Sequence, residues 1–275
     1  MAIFCLILEH IATLGSPPRK PKHPGRKLVE LFSNRRKSVF ALFFRFDPQT
    51  RFRHTRLREF IKSCYHLGNM SDSVKYNVIL TSSFNTVVGE LREKSLLPKT
   101  ASVAFIPTAG DPYPERPWID ADRKALVELG YSVMDIDLKG VTVESLEKEL
   151  SSHDIIFVAG GNTTYLVQQS YISGFADLIH SFLKQGKLYI GSSAGSILAG
   201  PTVEPFVTED IAELSKDFAL TKPTCLHLVD YIVLPHDQVE QFSAEHDKII
   251  KQYGEQLTFV RLTDKEYRTE NIYGL

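Results

Sequence analysis

A short, small-residue turn carries the serine best placed to act as a nucleophile. Residues 191–195 read Gly-Ser-Ser-Ala-Gly, which puts Ser193 in a G-x-S-x-G pattern directly after an apolar segment, Leu188 to Ile190. Such a turn lifts the hydroxyl above a sheet, and its neighbours must be small because their backbone lies against the next helix. The N–H of Ala194 would then stabilise a developing oxyanion. The alternative is a turn that binds an anion without chemistry.

A nucleophilic serine needs a base, and the five histidines after Met70 are the candidates. Only His236, in the sequence IVLPHDQ, lies at the carboxyl end of a predicted strand. We therefore predict that His236 is the base. The other four are less well placed: His153 precedes a strand, His180 and His246 lie on helices and are expected at the surface, and His227 is ambiguous.

The residues alone leave the acidic partner of His236 open. This carboxylate must accept a hydrogen bond from the far imidazole nitrogen, which a direct sequence neighbour rarely can. That argues against Asp237. Asp210 and Glu209 remain, with Glu204 behind them, in the irregular stretch after the serine turn.

A second loop at a strand end contains two glycines, in AGGNTTYL (residues 159–166). Its backbone can approach a substrate closely, so Gly161 would donate the second oxyanion N–H beside Ala194. The alternative is a plain strand-to-helix turn. Neither glycine pair fits G-x-G-x-x-G or a Walker loop, and no cluster of metal ligands is visible, so no cofactor and no metal are expected.

The elements around these residues alternate regularly from Lys75 onward. Apolar runs of strand length, such as YNVILTSS, ASVAFIPTA and DIIFVAGG, are separated by segments with helical periodicity. This alternation predicts an open, mostly parallel α/β sheet with helices on both faces, with ligands at the carboxyl ends of the strands. The final segment, KEYRTENIYGL, is polar and is predicted to form turns.

The charge distribution divides the chain into two parts. Residues 1–69 carry 14 Lys and Arg against 4 Asp and Glu, and include the proline-rich segment SPPRKPKHPGRK. We expect residues 1–69 to be a basic extension, disordered or partly helical, and residues 70–275 to be the catalytic domain. The favoured interpretation of the extension is sequence outside the functional unit. The functional alternatives are an organelle transit peptide, a weak signal peptide, and an arm that binds nucleic acid or an anionic surface.

The composition is that of a soluble globular protein, with 43% hydrophobic and 24% charged residues. The longest apolar run near the start is too short to span a membrane. Three scattered cysteines fit a reducing compartment, so a cytoplasmic location is expected. The expected partner is a small peptide substrate, with neither nucleic acid nor membrane, and a homodimer is compatible with the sequence.

The set FIPTAG, FVAGGNTTYL, IGSSAGSILAGPT and IVLPHD resembles the dipeptidase E family of serine peptidases, from about Tyr76 to Leu262. The resemblance implies the class I glutamine amidotransferase-like three-layer fold and cleavage of dipeptides with N-terminal aspartate. It assigns Ser193 as nucleophile, His236 as base and Asp210 as the third member, with Gly161 and Ala194 as oxyanion donors. A cation from a Lys or Arg side chain is expected to pair with the substrate carboxylate.

Two other functions are compatible with the same scaffold. One is a different amidase, or a hydrolase like the cyanophycinases, with the triad intact and another pocket. The other is a binding protein without catalysis, in which the serine turn holds a metabolite. The sequence favours the peptidase.

Overall fold

The computed structural model describes residues 77–207 and 223–273. A six-stranded sheet contains β1 (Val78–Thr81), β2 (Ser102–Ile106), β3 (Ser132–Asp135), β4 (Ile155–Val158), β5 (Leu188–Ser192) and β8 (Tyr267–Glu270). The order of the strands in this sheet is β3-β2-β4-β5-β1-β8. Five neighbouring strands are parallel, and β8 pairs antiparallel with β1.

Alternate residues of the central strands point into two separate apolar cores, one on each face of the sheet. Helices α1 (Phe84–Glu93) and α2 (Pro117–Glu128) cover one face. The other face packs against α3 (Val143–Ser151), α4 (Thr163–Ile172), α5 (Phe175–Lys184) and α6 (Ala194–Leu198). The predicted α/β sheet with helices on both faces is confirmed.

Two further strands form a separate parallel pair, which positions the second half of the site. They are β6 (Ile232–Leu234) and β7 (Phe259–Arg261), linked by α7 (Glu240–Tyr253). Leu234 is opposite Arg261 in this pair. Because the strands are parallel, the residues that follow both of them emerge at the same edge.

The prediction of turns at the polar C-terminal segment is wrong for β8 (Tyr267–Glu270), which is a strand. It is an edge strand, and its side chains are partly or fully exposed. An edge strand needs no continuous apolar run, because only one of its sides is paired and its faces remain in contact with solvent.

The predicted extension, residues 1–69, lies outside the described residues. Within the described part of the chain, no helix is both long and apolar enough to cross a bilayer.

Candidate active site

The serine turn has the strained geometry that the sequence pattern predicts. Ser193 joins β5 to α6 with φ of 49° and ψ of −109°, in a region that non-glycine residues rarely occupy. A Cβ on Gly195 would lie 2.1 Å from the carbonyl oxygen of Val158, so only glycine allows α6 to approach β4 this closely. The Ser193 N–H donates to Thr81 O at 3.0 Å, which ties the turn to β1.

His236 meets the serine hydroxyl directly. It follows β6, and its Nε2 lies 2.9 Å from Ser193 Oγ. Its own backbone has a positive φ of 61°, and its N–H donates to Ser82 Oγ at 2.7 Å. The structure therefore brings together the two residues that the sequence predicts as nucleophile and base, at a distance suited to proton transfer.

The carboxylate that contacts the far nitrogen of His236 is Asp264. Its Oδ1 lies 2.7 Å from His236 Nδ1, and it follows β7 as His236 follows β6. Of the acids considered from the sequence, Glu204 is exposed, and Asp237 binds His246 and Arg261 instead. Glu209 and Asp210 lie outside the described residues, so the role predicted for Asp210 stays a prediction.

Two further side chains hold Asp264 in place. Ser82 Oγ donates to Asp264 Oδ1 at 2.7 Å, and Gln238 Nε2 donates to Oδ2 at 2.5 Å. The backbone N–H of Asp264 donates in turn to Gln238 Oε1 at 3.0 Å. Ser82 and Gln238 therefore hold this carboxyl group by donating to its two oxygens, with Oδ1 directed at His236 Nδ1.

The glycine loop lies on the other side of the serine. A Cβ on Gly160 would come within 3.0 Å of Ser193 Cβ, so this loop touches the nucleophile. Gly161 has a φ of 146°, and a Cβ there would lie 2.2 Å from Ala109 O. Asn162 donates its N–H to the same oxygen and caps α4 by accepting from the Tyr165 N–H. Glycine is therefore required at position 161.

A cavity of about 510 Å³ opens over these residues. Four aromatic side chains line it, namely Tyr113, Trp118, Phe206 and Phe242. The Asp, Glu and His side chains that line it in the described part of the chain are Asp122, Glu245, His236 and His246, and that lining contains no Lys or Arg. A cavity of this volume accommodates a small ligand such as a dipeptide.

Comparison with known proteins identifies the family. The profile of peptidase family S51 matches residues 78–267, which contain Ser193, His236 and Asp264. The chain belongs to peptidase family S51. It is accordingly a peptidase of the serine type, and the resemblance inferred from the four motifs is confirmed.

Individual relatives agree with this assignment. The S51 peptidase is 35% identical to the uncharacterised peptidase Lmo0363 of Listeria monocytogenes over 178 residues, which are 65% of this chain and 86% of that protein. It is 35% identical to peptidase E of Salmonella arizonae over 132 residues, 46% of this chain and 56% of that one. A solved peptidase E candidate from Listeria monocytogenes EGD-e shares 31% identity and a TM-score of 0.62, covering 71% of this chain and 98% of the other.

Asp122 is a buried carboxyl group of the S51 peptidase that the sequence reasoning missed. It lies on α2, lines the cavity and accepts the Asn85 N–H at 2.9 Å, and it also binds the Ser192 hydroxyl. Burial raises the pKa of Asp122 to about 6, although these hydrogen bonds lower it in part. Asp122 thus joins α1, α2 and the end of β5 next to the nucleophile.

Replacing Asp122 by Asn is expected to raise the free energy of unfolding of the S51 peptidase more at neutral pH than at acidic pH. Because the folded-state pKa lies above the usual value, this group favours folding below about pH 4, and that contribution is lost as the pH rises through about 6. The full effect is roughly 3 kcal/mol at most. Urea unfolding of both proteins at pH 4.5 and 7 measures it. A difference in unfolding free energy that does not grow with pH would contradict this reading.

The remaining histidines only partly follow the sequence predictions. His246, expected at the surface, is buried, because its Nδ1 pairs with Asp237 Oδ1 at 2.9 Å on the inner side of α7. His180, also expected at the surface, is half-buried and bonds Leu226 O through Nε2 at 2.8 Å. His153 is buried, whereas His227 is exposed. His153, His180 and His227 form hydrogen bonds with Glu149 O, Leu226 O and Asp230, and in the described part of the chain none of the three bonds to Ser193.

Cys225 lies in the apolar core, as expected for a small buried residue. Burial raises the pKa of its thiol, which disfavours the nucleophilic thiolate. Residues 77–207 and 223–273 contain no group of side chains arranged to hold a metal ion.

Proposed function

We propose that this S51 peptidase hydrolyses small peptides, in particular dipeptides with N-terminal aspartate, through a triad of Ser193, His236 and Asp264. The observation that carries the proposal is the continuous line of contacts from Ser193 Oγ to His236 Nε2 at 2.9 Å and from His236 Nδ1 to Asp264 at 2.7 Å. Nucleophile, base and orienting carboxylate in this order are the parts of a serine hydrolase.

The reaction follows from these contacts. Ser193 Oγ attacks the peptide carbonyl carbon while His236 Nε2 takes the hydroxyl proton. The resulting imidazolium donates from Nδ1 to Asp264, which keeps the ring in the required tautomer. When the C–N bond breaks, Nε2 returns the proton to the leaving amine. Water then attacks the acyl-enzyme by the same route and releases the acid.

The oxyanion of the tetrahedral intermediate needs donors, and we assign this role to the N–H groups of Gly161 and Ala194. The Ser193 N–H is committed to Thr81 O, so it is not the donor. Ala194 is the first residue of α6, where backbone N–H groups have no partner within the helix. Each such donor contributes roughly 3 kcal/mol in comparable sites.

The preference for aspartate rests on the family resemblance, and the cavity supplies one candidate residue for it. No Lys or Arg lines the cavity among the described residues, so the expected cation is not a basic side chain of that part. His246 lines the cavity and is held by Asp237, which makes it the candidate partner for a substrate carboxylate. The carboxylates of Asp122 and Glu245 favour a free α-ammonium group on the substrate.

A substrate panel tests this function. The full chain is expected to cleave Asp-Leu faster than Glu-Leu and Ala-Leu by at least about tenfold in kcat/KM, and to leave acetyl-Asp-Leu intact because the blocked amine cannot face the carboxylates. Lys-Leu completes the panel. Faster cleavage of Lys-Leu than of Asp-Leu would overturn the aspartate preference. It would indicate that Asp122 and Glu245 bind a basic side chain of the substrate. Cleavage of none of the five would overturn the proposed function.

A further inference from the structure

We propose that Trp118 is a positioning residue that locks the Gly160–Gly161 peptide with its N–H turned toward the oxyanion. This inference rests on the proposed function, because it concerns the oxyanion donor of Gly161. Trp118 Nε1 donates to Gly160 O at 3.1 Å from the first turn of α2. Its ring lies edge-on to Tyr113 with centroids 5.4 Å apart, which fixes the orientation of the indole.

The effect on Gly161 follows from peptide geometry. The C=O and N–H of one trans peptide point in opposite directions. The carbonyl of Gly160 points to Trp118, so the N–H of Gly161 points away from that side chain. Among the described residues, the Gly161 N–H has no hydrogen-bond acceptor. It is therefore free to donate to a substrate oxygen beside Ser193, which the neighbouring Gly160 already touches.

A lock is needed here because two adjacent glycines allow the peptide between them to rotate. Glycine adopts positive and negative φ with similar ease, so the Gly160–Gly161 peptide can flip without moving its neighbours. On either side the backbone is fixed, by the Ala159 N–H on Ile106 O and the Asn162 N–H on Ala109 O. Within residues 77–207 and 223–273, the indole is the only side chain that hydrogen-bonds to the peptide between them.

Trp118→Phe tests this role, since phenylalanine keeps an aromatic ring in the cavity wall, although a smaller one, and removes the N–H donor. With the best substrate of the panel, kcat is expected to fall about 10- to 100-fold while KM stays within about twofold, because the lost interaction forms in the transition state. Val127→Ala, at an exposed position of the same helix, is the control for helix integrity and is expected to leave both constants unchanged.

A pair of inhibitors separates positioning from a merely structural role. The α-aldehyde of aspartate reacts with Ser193 Oγ to form a tetrahedral adduct whose oxygen occupies the oxyanion position, whereas the matching alcohol cannot. The aldehyde is expected to bind Trp118→Phe about 10- to 100-fold more weakly than the unmodified enzyme, and the alcohol equally well.

The outcomes distinguish this inference from the function on which it rests. If the unmodified enzyme cleaves the substrate and Trp118→Phe has the same kcat, or differs from it only by a higher KM, the inference is wrong and the proposed function stands. Equal weakening of aldehyde and alcohol binding would also overturn the inference. A side chain that only forms part of the cavity wall would affect both inhibitors to the same extent. If the unmodified chain neither turns over nor binds the aldehyde, both the proposed function and the inference fail.

Discussion

Replacing Ser193 by alanine is expected to lower kcat for the best dipeptide of the panel by about 10⁵- to 10⁶-fold and to leave the protein folded. Removing the nucleophile of a triad costs about as much as removing the whole triad, because His236 and Asp264 have no hydroxyl left to activate. The backbone bond from residue 193 to Thr81 O survives, since it involves only the N–H. Initial rates and the thermal unfolding midpoint of both proteins are the measurements.

The matched control is Ser181→Ala, which removes an exposed serine hydroxyl from α5. It is expected to leave turnover unchanged. A Ser193→Ala protein that keeps its unfolding midpoint and loses less than about tenfold in kcat would show that another group carries the reaction.

Replacing Asp264 by asparagine is expected to lower kcat by about 10³- to 10⁴-fold. In the acid, both oxygens accept hydrogen bonds, from His236 Nδ1 and Ser82 on one side and from Gln238 on the other. An amide nitrogen facing His236 would place the imidazole proton on Nε2, where the ring cannot accept the serine proton. With the opposite orientation, the amide nitrogen faces the Gln238 donor and the carboxamide is held less firmly.

Two further substitutions show whether this loss is specific. Asp230→Asn changes an exposed aspartate that pairs with His227 at 2.8 Å, and is expected to leave turnover unchanged. Asp210→Asn tests the residue that the family resemblance assigns to the triad. If Asp210→Asn abolishes turnover and Asp264→Asn does not, the third member is Asp210. The pH dependence of kcat/KM in the Asp264→Asn protein provides a second readout of the changed histidine environment.

The sequence was sufficient for the parts of the site that depend on local patterns. The serine turn can be recognised from its small residues, because the close approach of α6 to β4 requires glycine at position 195. The positive φ of Ser193 is the geometry that the G-x-S-x-G pattern predicts. His236 could be found because it directly follows an apolar strand. The two-faced sheet follows from the continuous apolar runs of β2 and β4, whose alternate residues enter opposite cores.

Asp264 escaped prediction although a signal for it exists. It follows the apolar run LTFVRL, so the rule that chemistry collects at strand ends applies to it as well as to His236. What the sequence does not contain is the pairing of β6 with β7, which brings residues 236 and 264 together across 28 positions. The acids predicted from the sequence are therefore ones close in sequence to Ser193 or to His236, and Asp264 is not among them.

The burial of two polar residues was the other feature that the sequence did not predict. His246 was expected at the surface of its helix, and no role or burial was predicted for Asp122. Each has a polar partner on another segment, the Asn85 N–H for Asp122 and the Asp237 carboxylate for His246. Such partners permit burial of a polar group, and they are fixed by tertiary contacts rather than by periodicity.

The most direct test of a serine nucleophile activated by His236 is covalent labelling with a fluorophosphonate. Ser193 Oγ displaces fluoride from phosphorus, and the hydroxyl proton passes to His236, so the full chain should gain the mass of one phosphonyl group, mapped by peptide sequencing to residue 193. The Ser193→Ala protein should gain none, and the His236→Ala protein should react at least about 10³-fold more slowly. Labelling at another residue, or at the same rate without His236, would contradict the account.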